Sequence, residues 1–446
     1  MPTDRDASVL DLDQAVRIFH RLVPAASLNA LQVPDSRAVY TPWIVAWLMV
    51  YQRLSGDATL ADALAEMACL DQDLLPDNKR ARERSLSANT GGYARARDRL
   101  RVDVAELAAD RVAAALMART PPSLGDRRVF LVDGSTLSLA PTEALRRAFP
   151  PAKNQHGESH WPVLRLVTAH DLSGGAALRP EIGQMRGPKA VGEVELSAAL
   201  IARLPPASVL IGDRNFGIFA FALQARQAGH DILMRLTKGR FQSMRRKAKS
   251  VGPGRWELVW KPNPRERRAN PRWPADAAVH VGLHEVRISE ELTLWLVTSL
   301  GEPASVLAEL YRGRGHVETD LRDLKRTLRL EEIRGQSPAM VRKELAAATI
   351  AYNLVVLVRG LAAARAEVEP RRLSFRRVWA LVRGMLLQPV DGVDRARIEQ
   401  RIDRLLRMAG QCKLPNRPDR NYRREVIGRR SKFPQRRPKG NTKLPK

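Results

Sequence analysis

The chain has little cysteine, and it has no long uninterrupted hydrophobic run. Two cysteines, Cys69 and Cys412, among 446 residues exclude a disulfide framework and a cysteine-based zinc site, and they indicate a reducing compartment. The longest apolar run, 345–358, is too short to span a bilayer and contains Asn353, so it is interpreted as a buried core helix. The N-terminus lacks the basic start and apolar centre of a signal peptide. These absences predict a soluble, cytoplasmic protein.

Acidic residues are also too few to balance the basic ones. The 75 Lys and Arg residues exceed the 48 Asp and Glu residues, which gives a formal charge of +27. An excess of this size favours a polyanionic partner, because phosphate contacts dominate such binding. Nucleic acid is the predicted partner, and a membrane surface is disfavoured because no polybasic amphipathic helix lies beside a hydrophobic anchor.

The apolar pattern divides the chain into four regions. Residues 1–120 are predicted to form a helical N-terminal DNA-binding domain, in which the basic and hydroxyl residues of 79–100 suit phosphate contacts or, alternatively, form a solvated helix face. Residues 121–337 are predicted to form a mixed α/β core. Residues 338–412 are predicted to be helical. Residues 413–446, with 13 Lys or Arg and two acids, are predicted to be a disordered cationic tail that binds DNA, or else a solubilising terminus.

Two short apolar strands are each followed by an aspartate. The run 129–132 precedes Asp133, and the run 209–212 precedes Asp213. A hairpin of strands at 161–169 and 176–182 is predicted after the first aspartate. Either Asp alone is explained more simply as a turn or capping residue.

A third acid, Glu318, lies among basic and phenolic residues at helical spacing. The segment 305–330 lacks proline and is predicted to be one α-helix. At roughly 100° per residue, one face of this helix carries Tyr311, Arg314, Glu318 and Lys325. Such a face suits phosphate binding around an acidic metal ligand, although an ordinary solvated helix would have the same pattern. The rival acids Asp320 and Asp323 project away from it.

Together, Asp133, Asp213 and Glu318 are predicted to bind divalent metal ions. Three carboxylates supply the hard oxygen ligands that two divalent ions need when substrate and water complete their shells. Such a pair of ions activates a water or a 3'-hydroxyl on one side of a phosphodiester and stabilises the leaving oxygen on the other. Mg²⁺ is the expected ion, and Mn²⁺ is a possible substitute.

These motifs resemble those of DDE-type insertion-sequence transposases with the Y-x2-R-x3-E-x6-K signature, the IS-four group. The four residues from Tyr311 to Lys325 match that signature at every spacing, and VFLVDGSTLSL and VLIGDRNFG resemble the motifs of the first two acids. The segments TPWIVAWLMVYQRL and GGYARARDRL are similar to the family's N-terminal region. The resemblance therefore extends through most of the chain.

The resemblance implies a ribonuclease-H-like catalytic core at 121–337 that is interrupted by a β-rich insertion, which residues 239–290 fit. It also implies cut-and-paste transposition in the bacterial cytoplasm, at the nucleoid. Asp133, Asp213 and Glu318 would bind two Mg²⁺ ions, and the freed 3'-hydroxyl would attack next, through a hairpin in some relatives. Tyr311, Arg314 and Lys325 would contact DNA phosphates. Arg214 would contact another phosphate or pair with an acid. The expected partners are double-stranded DNA with terminal inverted repeats, target DNA and a second protomer.

Other aromatic and histidine residues are weaker candidates. An insertion tryptophan stacks on a flipped base in relatives, but Trp295 appears one position off the corresponding place and is expected in the core. Trp273 and Trp260 are alternatives for that role. The three histidines near the hairpin lack metal-ligand spacing and are expected to be turn or core residues: His156, His160 and His170.

Three functional classes fit the sequence. The first is an active transposase. The second is an inactive or regulatory DNA-binding protein derived from one, which the retained acids disfavour. The third is a metal-dependent nuclease without strand transfer, which shares the two-ion chemistry.

Overall fold

The computed structural model describes residues 13–56, 58–155, 157–290, 292–330, 333–388 and 395–415. Contacts divide the chain into two units, Met1–Lys413 and Leu414–Lys446, and every element below belongs to the first unit. The predicted tail lies outside the described residues apart from its first three positions. His156, one of the three candidate histidines, also lies outside the described residues.

The N-terminal region is helical. Its helices are α1 (Ala15–Leu22), α2 (Ala25–Asn29), α3 (Pro42–Ser55), α4 (Leu60–Ala68), α5 (Lys79–Arg82), α6 (Thr90–Arg99) and α7 (Val102–Met117). Side-chain oxygens of Thr41, Thr59 and Asn78 cap α3, α4 and α5, so several of these starts are encoded locally. The basic stretch 79–100 is therefore two helices and a connecting turn.

A nine-stranded mixed sheet forms the centre of the molecule, with the strand order β5-β4-β1-β6-β7-β11-β10-β9-β8. Its strands are β1 (Val129–Ser138), β4 (Val163–Asp171), β5 (Glu181–Gln184), β6 (Val209–Gly212), β7 (Asp231–Arg235), β8 (Lys249–Gly252), β9 (Arg255–Trp260), β10 (Val279–Arg287) and β11 (Thr293–Thr298). A separate ribbon contains β2 (Lys153–Asn154) and β3 (Gly157–Glu158). The strands that lie within the predicted insertion, β8, β9 and β10, extend the central sheet at one end.

The first strand is longer than the sequence predicts. β1 pairs in parallel with β6 only through Leu131, but it pairs antiparallel with β4 as far as Ser138. Asp133 therefore lies within a strand and not at its end, which corrects the prediction. Beyond Leu131 no strand among the described residues pairs with the β6 side of β1, and the acids meet at this opening.

The predicted hairpin is also displaced. β5 begins at Glu181, whereas a strand was expected at 176–182. The segment before it is held by a side chain, because the Asn353 amide donates to the carbonyl of Ala177 at 2.9 Å and accepts from its N–H at 2.8 Å. Asn353 takes the place of a neighbouring strand, and this bond explains an amide within an apolar helix.

Ten further α-helices follow in the described part of the chain. They are α8 (Glu143–Ala148), α9 (Glu193–Ile201), α10 (Phe219–Gln227), α11 (Lys238–Arg245), α12 (Pro264–Ala269), α13 (Ala304–Arg312), α14 (Gly315–Arg322), α15 (Pro338–Arg365), α16 (Phe375–Leu386) and α17 (Arg395–Gly410). In the described part of the chain, α15 alone has the length and composition of a membrane span, and 89% of its most apolar window is buried inside the protein. This burial confirms the prediction of a core helix. The mixed α/β architecture confirms the predicted fold class.

Candidate active site

Three acids that are far apart in the sequence meet around one guanidinium group. Arg314 Nη1 lies 2.6 Å from Glu318 Oε1, and Nη2 lies 3.5 Å from Asp133 Oδ2 and 3.9 Å from Asp213 Oδ2. The Arg314 side chain is only 18% exposed, whereas that of Glu318 is 59% exposed. The arrangement is a cation held between carboxylates at the open end of β1 and β6.

The helix that carries Arg314 and Glu318 is interrupted, which corrects the prediction of one regular α-helix over 305–330. The N–H groups of Gly313 and Arg314 bond to carbonyls three residues earlier, so the chain tightens between α13 and α14. A Cβ on Gly313 would lie 2.7 Å from Leu172 Cδ1, so a glycine permits close packing here. A π-helical turn, Asp323–Thr327, follows α14.

The charges of this cluster are strongly coupled. Burial raises the pKa of Asp133 to about 6, against the opposing effect of Arg314. Burial lowers the pKa of Arg314, but the charges of Asp133 and Asp213 outweigh it, so that its pKa is raised overall. The arginine therefore remains a cation.

Tyr311 and Lys325 flank the cluster in different ways. Tyr311 packs in the apolar cluster that contains Leu131 of β1, and burial raises its pKa to about 12, so its phenol is neutral at physiological pH. Lys325 Nζ lies 3.1 Å from both Ser135 Oγ and the Thr136 carbonyl. Its ammonium therefore ties the π-helical turn to β1, just beyond Asp133.

Two arginines that the sequence marked as basic candidates differ in accessibility. Arg214 is exposed directly after Asp213, and it forms no ion pair within the described residues, so the expected pairing with an acid is made by Arg314 instead. Arg97 of α6 points inward and donates to Glu344 Oε1 at 2.8 Å. Arg97 is therefore removed from the surface that could bind phosphates.

The rival acids of the sequence occupy other surroundings. Asp320 is buried and lies 2.8 Å from Arg371 Nη2 and 3.9 Å from His170 Nδ1. Asp323 is half-buried in the π-helical turn, and burial raises its pKa to about 6. The buried pairing of Asp320 agrees with the expectation that it projects away from the stripe.

The aromatic and histidine candidates pack mainly in the protein interior. Trp295 is a partly buried residue of the core, as expected. Trp260 and Trp273 both pack edge-on against Phe219, with ring centroids 5.8 and 5.3 Å away. His170 is fully buried, and His160 lies exposed beside Trp161 in an edge contact.

One acid beside the site was not singled out from the sequence. Glu193, the first residue of α9, adds its charge to the environment of Asp133. Its carboxyl group also occupies the space beside Gly134, the residue that follows Asp133. The only sequence signal is that glycine, which gives no indication of the helix that approaches it.

The donor set matches a hard divalent cation in chemistry, because the side chains around Arg314 are carboxylates. Within the described residues, however, no three His, Cys, Asp or Glu side chains converge closely enough to hold a metal ion. The reason is visible in the geometry, since Glu318 turns towards Arg314. Two aspartates are in place, and Glu318 would join them after releasing the guanidinium group.

The fold and the acids define the class: a mixed-sheet, ribonuclease-H-like core that presents carboxylates from two neighbouring strands and from a helix. The family model described as "Transposase DDE domain" matches residues 124–354. The chain therefore belongs to the DDE transposases, which confirms the resemblance to DDE insertion-sequence transposases. Domains of this family act on DNA as nucleases and transferases and generally use divalent metal ions.

A curated relative supports the same family. The chain is 24% identical over 320 residues to "Transposase InsG for insertion sequence element IS4" of Escherichia coli (strain K12), and this match covers 68% of each chain. The aligned stretch is longer than the part of the chain that separates Asp133 from Glu318.

Proposed function

We propose that this transposase moves DNA by a cut-and-paste reaction, in which Asp133, Asp213 and Glu318 hold two Mg²⁺ ions, or Mn²⁺ in their place. The observation that carries the proposal is the contact of one guanidinium group, that of Arg314, with all three carboxylates. The bound ions would supply activation of the attacking oxygen and stabilisation of the leaving oxygen.

Arg314 has two roles in this proposal. Without divalent ions it neutralises the clustered carboxylates, whose mutual repulsion would otherwise be costly. When ions bind, the exposed Glu318 turns from Arg314 to the aspartates, and the guanidinium group becomes available for a DNA phosphate. Lys325 and the exposed Arg214 add phosphate contacts on either side.

The remaining parts of the chain would bind DNA and a second protomer. We assign residues 1–120 to recognition of the terminal inverted repeats and the core at 121–337, with its insertion at 239–290, to chemistry. We assign 338–412 to pairing of two protomers across two ends, and 413–446 to nonspecific contact with the ends and the target DNA. Such a protein would work in the bacterial cytoplasm, at the nucleoid.

A plasmid assay tests the proposal. Supercoiled plasmid that carries the DNA flanking this gene is incubated with the full chain, with and without Mg²⁺, and the products are mapped and sequenced. The chain is expected to cut at the flanking repeats only with Mg²⁺ and to join the freed ends to a second DNA. Glu318→Gln is expected to bind the ends without cutting them.

Glu309→Gln is the matched control, because Glu309 lies exposed on α13 in a surface pair with Arg312. It makes the same change of charge and should cut normally. Free ends without joined products would instead identify a nuclease. Binding without cutting by the natural chain would identify an inactive DNA-binding protein.

A further inference from the structure

The place of Glu318 in the site follows from the position of α14. Its side chain is largely exposed, so side-chain packing does little to confine it. The same helix carries Asp320, whose side chain is 1% exposed. Because the two residues share one rigid turn of helix, a shift of α14 at Asp320 moves Glu318 as well. Whatever holds Asp320 therefore also holds Glu318.

The side chain of Arg371 joins α14 to the end of β4. Its Nη2 lies 2.8 Å from Asp320 Oδ2 and donates to the Asp171 carbonyl at 3.0 Å. Its Nη1 donates to the Leu172 carbonyl. The Arg371 side chain is only 11% exposed. A planar guanidinium group can span these three acceptors at once, because its donors form a fixed fork.

The same stretch of backbone also contacts the interruption before α14. A Cβ on Gly313 would lie 2.7 Å from Leu172 Cδ1, so Leu172 packs closely against the tightened turn that precedes Arg314. Leu172 is thus held by Arg371 through its carbonyl and touches this turn through its side chain. The end of β4 is therefore connected to α14 at two points, before its first turn and in its last turn.

Arg371 lies outside the part of the chain that the transposase family model matches. It belongs to the 3₁₀ turn Pro370–Arg372, between α15 and α16, whereas the match ends at residue 354. A residue of the C-terminal helical region thus reaches the helix that carries an acid of the candidate site.

We infer that Arg371 is a positioning residue for the candidate active site: it fixes α14 against the end of β4 and so holds Glu318 within reach of Asp133 and Asp213. This inference rests on the proposed function, because it concerns the same acids. Arg371 acts through Asp320 and the backbone, and it takes no part in breaking or forming bonds in DNA.

Mn²⁺ binding to the full chain tests the inference, with free Mn²⁺ measured by electron paramagnetic resonance. Arg371→Met is expected to raise the Mn²⁺ dissociation constant by about tenfold or more, as the loss of groups that orient metal ligands does. Arg376→Met is the matched control, because Arg376 lies exposed in the first turn of α16. It makes the same change and should leave Mn²⁺ binding unaltered.

A double variant separates positioning from stability. Asp320→Leu combined with Arg371→Met replaces the buried pair by two apolar side chains, which is often no less stable than the pair itself. This variant should fold, as circular dichroism verifies, but still bind Mn²⁺ weakly, because no side chain then ties α14 to the carbonyls of β4. Natural Mn²⁺ affinity in the folded double variant would show a purely structural role and overturn the inference.

A second combination tests whether Arg371 acts through Glu318. In a chain that already carries Glu318→Gln, Arg371→Met should weaken Mn²⁺ binding by less than twofold, because the acid that Arg371 positions is no longer a ligand. A further tenfold loss in that chain would mean that Arg371 acts independently of Glu318, and the inference would be wrong.

The outcomes separate this inference from the proposed function. If Glu318→Gln weakens Mn²⁺ binding while Arg371→Met and the double variant stay within twofold of the natural chain, the role of Arg371 is wrong and the proposed function stands. If Glu318→Gln leaves both Mn²⁺ binding and plasmid cutting unchanged, the proposed function itself is wrong.

Discussion

Glu318 and Asp320 lie two residues apart on α14, yet their surroundings are opposite. The Glu318 side chain is 59% exposed and touches Arg314 at the open end of the sheet. The Asp320 side chain is 1% exposed and pairs with Arg371, which itself donates to backbone carbonyls at 171 and 172. A buried pair held by several hydrogen bonds has one arrangement, whereas an exposed pair can exchange partners at little cost. α14 thus carries two different acids. Asp320 forms a buried pair with Arg371, called the anchor below, and Glu318 is an exposed acid that can change partners.

The pKa directions express the same contrast. Burial alone would raise the pKa of Asp320, but the charge of Arg371 and its hydrogen bond hold that pKa below its ordinary value. Burial wins at Asp133, whose pKa rises to about 6 although Arg314 opposes it. The anchor is thus compensated by the protein itself, and the candidate site is compensated only in part.

The strongest test of the contrast removes the charge of the exposed acid, Glu318. Glu318→Gln should reduce cutting by a factor on the order of 1,000, because it removes a carboxylate that would hold the ions of the proposed reaction, and these ions would stabilise the charge that develops on the reacting oxygens. It should leave the free energy of unfolding within about 1 kcal/mol, as for other exposed pairs. Plasmid cutting and denaturant unfolding measure both effects. A stable, fully active variant would remove Glu318 from the site.

The anchor should respond in the reverse way. Arg371→Met should lower the free energy of unfolding by about 3–5 kcal/mol, because it leaves Asp320 charged and buried without its partner. Arg312→Met, which breaks an exposed pair on α13, is the control and should cost less than about 1 kcal/mol. Equal costs for the two variants would contradict the distinction between anchor and surface.

Ionisation of Asp133 should lower the free energy of unfolding, so the stability of the fold should depend on pH. Its folded pKa of about 6 lies above the ordinary value of 3.8, so the folded state favours the protonated form and loses stability as pH rises from 4 to 6. Asp133→Asn should therefore be more stable than the natural chain by about 3 kcal/mol at pH 7 and by less than about 1 kcal/mol at pH 4. Urea unfolding without metal, at a series of pH values, measures this difference. A gain independent of pH would contradict the assignment.

The smallest expected effect concerns the basic end of the chain. Removal of the residues after Cys412 should flatten the dependence of DNA affinity on salt, because each lost phosphate contact reduces the logarithmic slope by about 0.9. Cutting by the bound enzyme should persist. Binding titrations at several salt concentrations give the slope, and an unchanged slope would exclude a contact of the tail with DNA.

The sequence predicts those parts of the site that local pattern determines. The apolar runs before Asp133 and Asp213, taken together with the helical spacing of Arg314 and Glu318, pointed to residues that the fold brings together. These signals depend on neighbours along the chain. The fold class followed from the alternation of strands and helices.

Tertiary contacts determine the rest. The length of β1 depends on its partner β4. The position of β5 depends on the hydrogen bonds that the Asn353 side chain makes with the backbone before that strand. Glu193 begins a short helix, and only the packing of α9 brings it to Gly134. The role of Arg314 as a bridge among acids, rather than a phosphate contact alone, likewise required the geometry.

The central claim is that Asp133 contacts a divalent ion, and replacing its ligand atom tests this most directly. A thiolate is a poor ligand for Mg²⁺, and transition-metal ions accept it more readily. Asp133→Cys should therefore cut plasmid ends with Mn²⁺ but not with Mg²⁺, while Asp133→Ala should be inactive with both. Equal cutting by the cysteine variant with the two ions, or none with either although it folds and binds DNA, would contradict the claim.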